Sequence, residues 1–317
     1  MLRKTLIGTL AALCLLALSA CGQANTAVRQ WTLTLPHVAD LQVVGSQVAV
    51  KTGSSLLVSG LSAWKPTQLA ISPGESCVLS GDAKGDLVCL VPAQGGTTVL
   101  LQPLHGVGLS IADLVQPAAA MVVRSDAGFV VVQITMADGS QQTLAVDLAS
   151  QAVSTIAGPP VRAIGVVGSS YLVESSGLSG SASLVAVALP SGTAKTLAAL
   201  PAPLLDPTLS GNWIIGFPLT SQASAPRFDA YSTSGGQLAH LALPSGLLLQ
   251  APYAAGPGYV LVQRSGIYNV FLAQSQTMVS LSLPAQRSDL IGTNGQNAVY
   301  VLQAKTLHLA EIPAQTP

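Results

Sequence analysis

Charge is what this chain has least of. Asp, Glu, Lys and Arg make up 8% of its 317 residues, where a soluble domain carries about 25%. Thirteen basic residues balance thirteen acidic ones and are scattered along the chain. Phosphate neutralisation needs a clustered basic footprint, so the sequence excludes nucleic acid as a partner. Aromatic residues are also few, at 4%; a transmembrane β-barrel would carry aromatic girdles at both interfaces. After residue 20 no stretch of about 18 apolar residues escapes a charge, Pro or Gly, so no second membrane helix is expected. The body of the chain is therefore predicted to be soluble, although apolar residues reach 49%.

Catalytic patterns are scarce too. There is no nucleophile-elbow, dinucleotide or phosphate-loop motif. Ser62-Ala-Trp-Lys65 and Lys51-Thr-Gly53 match two motifs of penicillin-recognising enzymes. They stand in reversed order in strand–turn segments, where no helix presents the serine, and are read as chance. Glu75, Glu174 and Glu311 are the only glutamates, which makes a paired-carboxylate hydrolase hard to assemble. His37, His105, His240 and His308 lack metal-ligand spacing, so no metal or cofactor is expected.

The amino terminus is more informative. Arg3 and Lys4 precede an apolar run from Thr5 to Ala17, then Leu18-Ser19-Ala20-Cys21. This arrangement resembles the bacterial lipobox and its signal peptide. The resemblance implies cleavage before Cys21, with a diacylglyceryl group on its thiol and an acyl group on its amine. Residues 1–20 would be signal, 21–28 a short tether, 29–313 the folded domain and 314–317 a tail. Gly22 follows the cysteine, so the resemblance implies a lipid anchor on the non-cytoplasmic side of a membrane. Where a cell has two membranes, that is the outer membrane, facing the periplasm.

Two further cysteines remain, Cys77 and Cys89, flanking a Gly81 to Gly85 turn. A hairpin centred on Ala83 sets them directly opposite each other, within disulfide reach in an exported protein.

From residue 29 onward the chain is short apolar runs broken by Gly, Ser, Asn and Pro, which is strand chemistry. Phe129-Val-Val-Val, Leu184-Val-Ala-Val-Ala-Leu and Tyr259-Val-Leu-Val are apolar at nearly every position, as in strands covered on both faces. Runs ending in Leu35-Pro36, Leu200-Pro201, Leu243-Pro244 and Leu283-Pro284 recur, with weaker copies ending near Leu69, Leu104 and Ile156. Their spacing averages about 41 residues, and four strands per 40–50 residues is the period of a β-propeller blade. The last unit offers three strands, and Trp31-Thr-Leu-Thr-Leu35 would supply its fourth. This predicts an all-β fold of about seven four-stranded blades, closed by the amino-terminal strand. Six blades or paired β-sandwiches are the alternatives. The pattern resembles the broad β-propeller superfamily but lacks the Trp-Asp pair of WD40 repeats and the kelch double glycine. It transfers an architecture and no functional residues.

One polar register stands out. Asp40, Asp113, Asp206 and Asp289 each fall near the predicted start of an inner strand, and Arg162 and Gln250 take similar places. Such carboxylates would ring one mouth of a central channel and bind a cation, a cationic group or a polyhydroxyl ligand. They would equally shape tight loops by accepting backbone N–H bonds. The functional expectation is a monomeric, membrane-tethered binding or scaffold module for an envelope protein or extracellular ligand. The rival is a propeller enzyme of lyase, lactonase or quinone-dependent dehydrogenase type using the Asp-lined mouth.

Overall fold

A computed structural model describes residues 28–33, 38–60, 63–80, 86–115, 119–126, 128–135, 139–156, 162–176, 181–218, 227–236, 238–243, 254–256 and 258–313. Its elements are strands, grouped into seven four-stranded antiparallel sheets. The chain opens with β1 (Val28–Thr32). Blade 1 follows as β2 (Val38–Val44), β3 (Gln47–Thr52), β4 (Ser55–Gly60) and β5 (Thr67–Ala70). Blade 2 is β6 (Ser76–Leu79), β7 (Leu87–Ala93), β8 (Gly96–Gln102) and β9 (Leu109–Val115). Blade 3 is β10 (Ala119–Asp126), β11 (Phe129–Thr135), β12 (Gln141–Asp147) and β13 (Val153–Ile156). Blade 4 is β14 (Arg162–Val167), β15 (Ser170–Ser176), β16 (Ala182–Ala188) and β17 (Ala194–Leu200). Blade 5 is β18 (Leu204–Ser210), β19 (Trp213–Pro218), β20 (Arg227–Ser232) and β21 (Leu238–Ala242). Blade 6 is β22 (Ala255–Gly256), β23 (Tyr259–Arg264), β24 (Ile267–Leu272) and β25 (Thr277–Pro284). Blade 7 is β26 (Leu290–Thr293), β27 (Ala298–Gln303) and β28 (Thr306–Glu311), completed by β1 in the order β1-β28-β27-β26.

This is a seven-bladed β-propeller closed by its amino-terminal strand. The closing strand starts earlier than the apolar run Trp31–Leu35 suggests: Val28 pairs with Ala310, Gln30 with His308 and Trp31 with Leu307. Leu33 then donates its N–H to the Lys305 carbonyl at 2.7 Å. Backbone pairing, which is indifferent to side chains, extends the strand into polar Arg29 and Gln30.

The two-sided apolar runs have a direct cause. Seven hydrophobic clusters among the described residues each join two neighbouring blades. Val48 and Val50 pack with Tyr300, Leu302 and Leu307 of blade 7, while Ala49 between them packs with Leu79 and Leu87 of blade 2. Val130 and Val132 likewise face Val88 and Leu90, and Val131 faces Tyr171 and Val173. Successive side chains of a strand point to opposite faces, so a strand between two blades is apolar at every position. In blade 2, Cys77 pairs with Cys89 across β6 and β7, with Cα atoms 4.1 Å apart, and their sulfurs are joined in a disulfide.

Inner strands β2, β6, β10, β14, β18, β22 and β26 surround the axis. Their starts meet at one mouth, where the Arg162 Nη1 donates to the Leu204 carbonyl at 2.7 Å. Their ends meet at the other, where the Ser210 hydroxyl donates to the carbonyls of Ala255 (3.2 Å) and Gly295 (2.8 Å). Gly295 sits there at φ +72° in the turn after β26, and a Cβ on it would lie 2.5 Å from the Ser210 Cα. Gly295→Ala therefore carries both a disfavoured backbone and a backbone collision. It is expected to lower unfolding stability by about 2 kcal/mol or more, read from a denaturant midpoint.

Candidate binding mouth

The carboxylates singled out by the sequence separate in the structure. Asp40 lies in inner strand β2; its Oδ1 accepts the Leu41 N–H at 2.9 Å and its Oδ2 accepts the Gln42 side-chain amide at 3.1 Å. Asp206 lies in inner strand β18. Asp289 stands immediately before inner strand β26 and is 7% exposed. Its Oδ2 accepts three donors, the Tyr268 hydroxyl (3.0 Å), the Gln286 N–H (2.9 Å) and the Gln303 side-chain amide (2.9 Å). Asp113 breaks the register. It lies in β9, the outermost strand of blade 2, pairs with Thr98 and accepts that residue's hydroxyl at 2.6 Å. A ring of four carboxylates at one mouth is thus corrected to three residues on inner-strand starts and one on the rim. Gln250 and Cys21 lie outside the described residues.

The misplacement has a local reason. Val99-Leu-Leu resembles a blade's last strand, so Leu104 read as a blade end. It follows the third strand instead, and a Gly-containing loop leads on to the fourth, Leu109–Val115. Ile111-Ala-Asp113-Leu then imitates Val38-Ala-Asp40-Leu, although one opens an outer strand's second half and the other an inner strand.

Polar side chains on and beside the inner strands do reach across blade seams. Gln42 donates to the Cys77 carbonyl and accepts the Leu79 N–H, both at 3.2 Å, tying blade 1 to blade 2. Buried Glu174 accepts the Leu204 N–H at 2.7 Å, and Arg162 lies 3.7 Å from the same carboxylate while donating to Leu204's carbonyl. Blade 4 thereby holds both polar groups of the residue that begins blade 5. Tyr268, Gln303 and Asp289 do the same between blades 6 and 7. At the opposite, end mouth Tyr259 adds a 2.6 Å bond to Thr293 across that seam; burial pushes its hydroxyl up to about 12, with the Thr293 bond pulling the other way. It stays protonated at physiological pH and acts as a hydrogen-bonding group.

Two groups escaped sequence reasoning. Glu174 is the only charged residue in the run Tyr171-Leu-Val-Glu174, and a lone charge in a two-sided strand was the available signal. The second is a cluster on blade 5. Fully buried Asp229 pairs directly with His240. Its Oδ1 lies 2.6 Å from His240 Nδ1 and 3.2 Å from Arg227 Nε, and its Oδ2 accepts the Tyr231 hydroxyl at 3.2 Å. Polar residues at alternate positions of Arg227-Phe-Asp229-Ala-Tyr231 mark one face of β20. Burial, with the Asp229 charge second, raises the Tyr231 hydroxyl, so it too is a donor. Glu75, Cys77 and Cys89 bring three ligand atoms within 4.8 Å of one another. The two sulfurs are bonded to each other, so they have no thiolate to offer a metal.

His308 is 7% exposed on β28, and its Nδ1 has no partner among the described residues. Burial lowers its pKa below 6.5, with the nearby Asp289 charge acting in the opposite sense.

No protein-family model matches the sequence, and no curated protein matches it. Solved structures match the fold. Oligogalacturonate lyase in complex with manganese shares 12% identity over 92% of this chain and 95% of that one, at a TM-score of 0.63. The β-propeller domain of the Trilobed protease from Pyrococcus furiosus shares 10% over 87% and 91%, at 0.53. Pyrococcus horikoshii acylaminoacyl peptidase shares 11% over 88% of this chain, at 0.55, and this chain spans 51% of its length. TolB from Acinetobacter baumannii shares 17% over 73%, at 0.47, and this chain spans 60% of it. Identities this low establish the class, a β-propeller, and nothing finer.

Two outcomes follow from the geometry. Glu174→Ala leaves Leu204's N–H and Arg162 without their shared acceptor, and is expected to cost about 2–4 kcal/mol in a denaturant titration. For His308 the folded pKa is depressed, so its contribution is fully present above pH 6.5. It is lost as pH falls from there through the folded value, because the unfolded state binds the proton more readily. Melting temperatures across that range are expected to fall more steeply for the native chain than for His308→Asn.

Proposed function

We propose that this chain is an exported lipoprotein whose seven-bladed propeller is a binding or scaffold module held at the cell envelope by lipid on Cys21. The observation that carries this reading is the use of polar groups to join the inner strands of neighbouring blades. Arg162, Glu174, Gln42 and Asp289 hold adjacent blades to one another. A ring fixed in this way loses little freedom when a partner docks. The partner is an envelope protein or an extracellular ligand, met at the mouth where inner strands begin, with Asp40 and Asp206 as the polar contacts there. Low surface charge leaves recognition to polar and apolar contacts, with little electrostatic steering. The protein works as a monomer and needs no cofactor beyond its lipid.

A second reading, a propeller enzyme, draws support from one arrangement. A buried carboxylate 2.6 Å from His240 Nδ1 leaves Nε2 of a half-exposed imidazole pointing away, as a general base would need. His240→Gln would abolish such an activity and leave partner binding intact.

The test is crosslinking in the native envelope followed by purification of the full chain. One stoichiometric partner, lost in the Asp40→Asn/Asp206→Asn double variant, is expected. Absence of any partner from the native chain would contradict the scaffold reading. Cys21→Ser is expected to release a folded domain from the membrane fraction.

A further inference from the structure

Four large apolar side chains are well exposed among the described residues: Val107 (91%), Leu109 (52%), Val153 (44%) and Ile267 (39%). Strand pairing says which mouth each one occupies. Inner strands end where second strands begin, so β7 starts at the end mouth with Leu87. Leu87 pairs with Gln102, the last residue of β8, and Leu101 pairs with Leu109, the first of β9. The loop between β8 and β9, with Val107 at its tip, therefore projects at the end mouth. In the next blade Phe129 opens β11 and pairs with Asp147, and neighbouring Val146 pairs with Val153. Val153 thus belongs to the same mouth, one blade along. Ile267 opens β24 opposite Arg264, the last residue of β23, and belongs to the start mouth.

The closing strand adds an independent placement. Ala298 opens β27 at the end mouth and pairs with Glu311; its neighbour Ala310 pairs with Val28, the first residue of β1. The chain therefore enters the ring at the mouth that carries Val107, Leu109 and Val153. Seven peptide steps separate Val28 from Cys21, a reach of at most about 25 Å. A lipid on Cys21 can lie no farther than that from this mouth.

From these placements we infer that the end mouth lies against the bilayer, with the Val107–Leu109 loop and Val153 seated in its interfacial region. The inference rests on the lipid-anchor reading and adds an orientation to it. The loop suits the role. From Pro103 to Ser110 it carries no Asp, Glu, Lys or Arg, and the Gln102 side-chain amide braces it by donating to the carbonyls of Pro103 (3.1 Å) and Gly106 (3.4 Å). Acyl chains on Cys21 would hold the protein at the membrane but leave the ring free to tumble on its tether. Apolar contacts on two neighbouring blades stop that tumbling, and they turn the start mouth outward, toward a partner. Contacts without charge should be insensitive to salt, unlike a polybasic patch.

The experiment uses the full lipidated chain in phosphatidylcholine vesicles. Cys21 carries lipid and Cys77 is bonded to Cys89, so Val107→Cys and Ile267→Cys each add a single free thiol for a nitroxide label. With mass spectrometry finding lipid on Cys21, the label at position 107 is expected to be reached by oxygen and shielded from a water-soluble nickel relaxant. The label at 267 is expected to be open to nickel. Equal nickel access at both positions on a lipidated chain would overturn the orientation while leaving the anchor standing. A Cys21 without lipid in the mass spectrum would overturn the anchor, and the orientation with it.

Discussion

Everything in this molecule depends on one antiparallel pairing, that of Val28–Thr32 with Thr306–Glu311. A chain of blades has two loose ends, each with an unpaired strand edge and an uncovered apolar face. Pairing the first strand with the last three joins both ends in one sheet. The same sheet then packs Tyr300, Leu302, Leu307 and Leu309 on Leu41, Val43, Val48 and Val50 of blade 1. Without that pairing, blades 1 and 7 would both present apolar faces to water. The Arg29–Glu311 ion pair at 2.9 Å spans the two strands, but both side chains are about half exposed, so backbone bonds and burial supply most of the hold.

Within the closed ring, polar residues have little left to do at the seams except satisfy one another. Glu174, Asp229 and Asp289 are buried carboxylates, and each has donors from more than one strand. Buried unpaired charge is costly, and a bonded one is held in a single geometry. Glu174 and Asp289 consequently fix how blades meet, and Asp229 fixes β20 against β21 within blade 5. The unpartnered buried polar atoms among the described residues, on Asp289, Tyr300 and His308, fall together in the closing blade. That blade, assembled from both ends of the chain, is the one whose polar groups are least completely satisfied.

The architecture was legible in the sequence because its cause is periodic. Each blade needs a strand apolar on both sides and a turn to leave it, so Leu-Pro ends and Gly turns repeat at blade spacing. The cross-strand placement of Cys77 and Cys89 was legible for the same reason, since a tight turn dictates which residues oppose. The register of carboxylates was only partly legible. Asp40, Asp206 and Asp289 sit at inner-strand starts, but Asp113 sits on an outer strand whose residues spell nearly the same pattern. Period-two chemistry repeats in every strand, so four residues cannot say which strand of a blade they occupy. Glu174 and Asp229 were missed because their partners, Leu204 on the next blade and His240 on the next strand, come together through pairing that spacing does not encode.

Hydrogen exchange of the backbone amides in Val28–Thr32 tests the closure most directly. If β1 closes the ring, those amides exchange as slowly as the amides of Thr306–Glu311, their partners, and both sets are lost together in one cooperative unfolding step. Exchange of Val28–Thr32 at the rate of unpaired chain, with the other six blades still protected, would contradict the account.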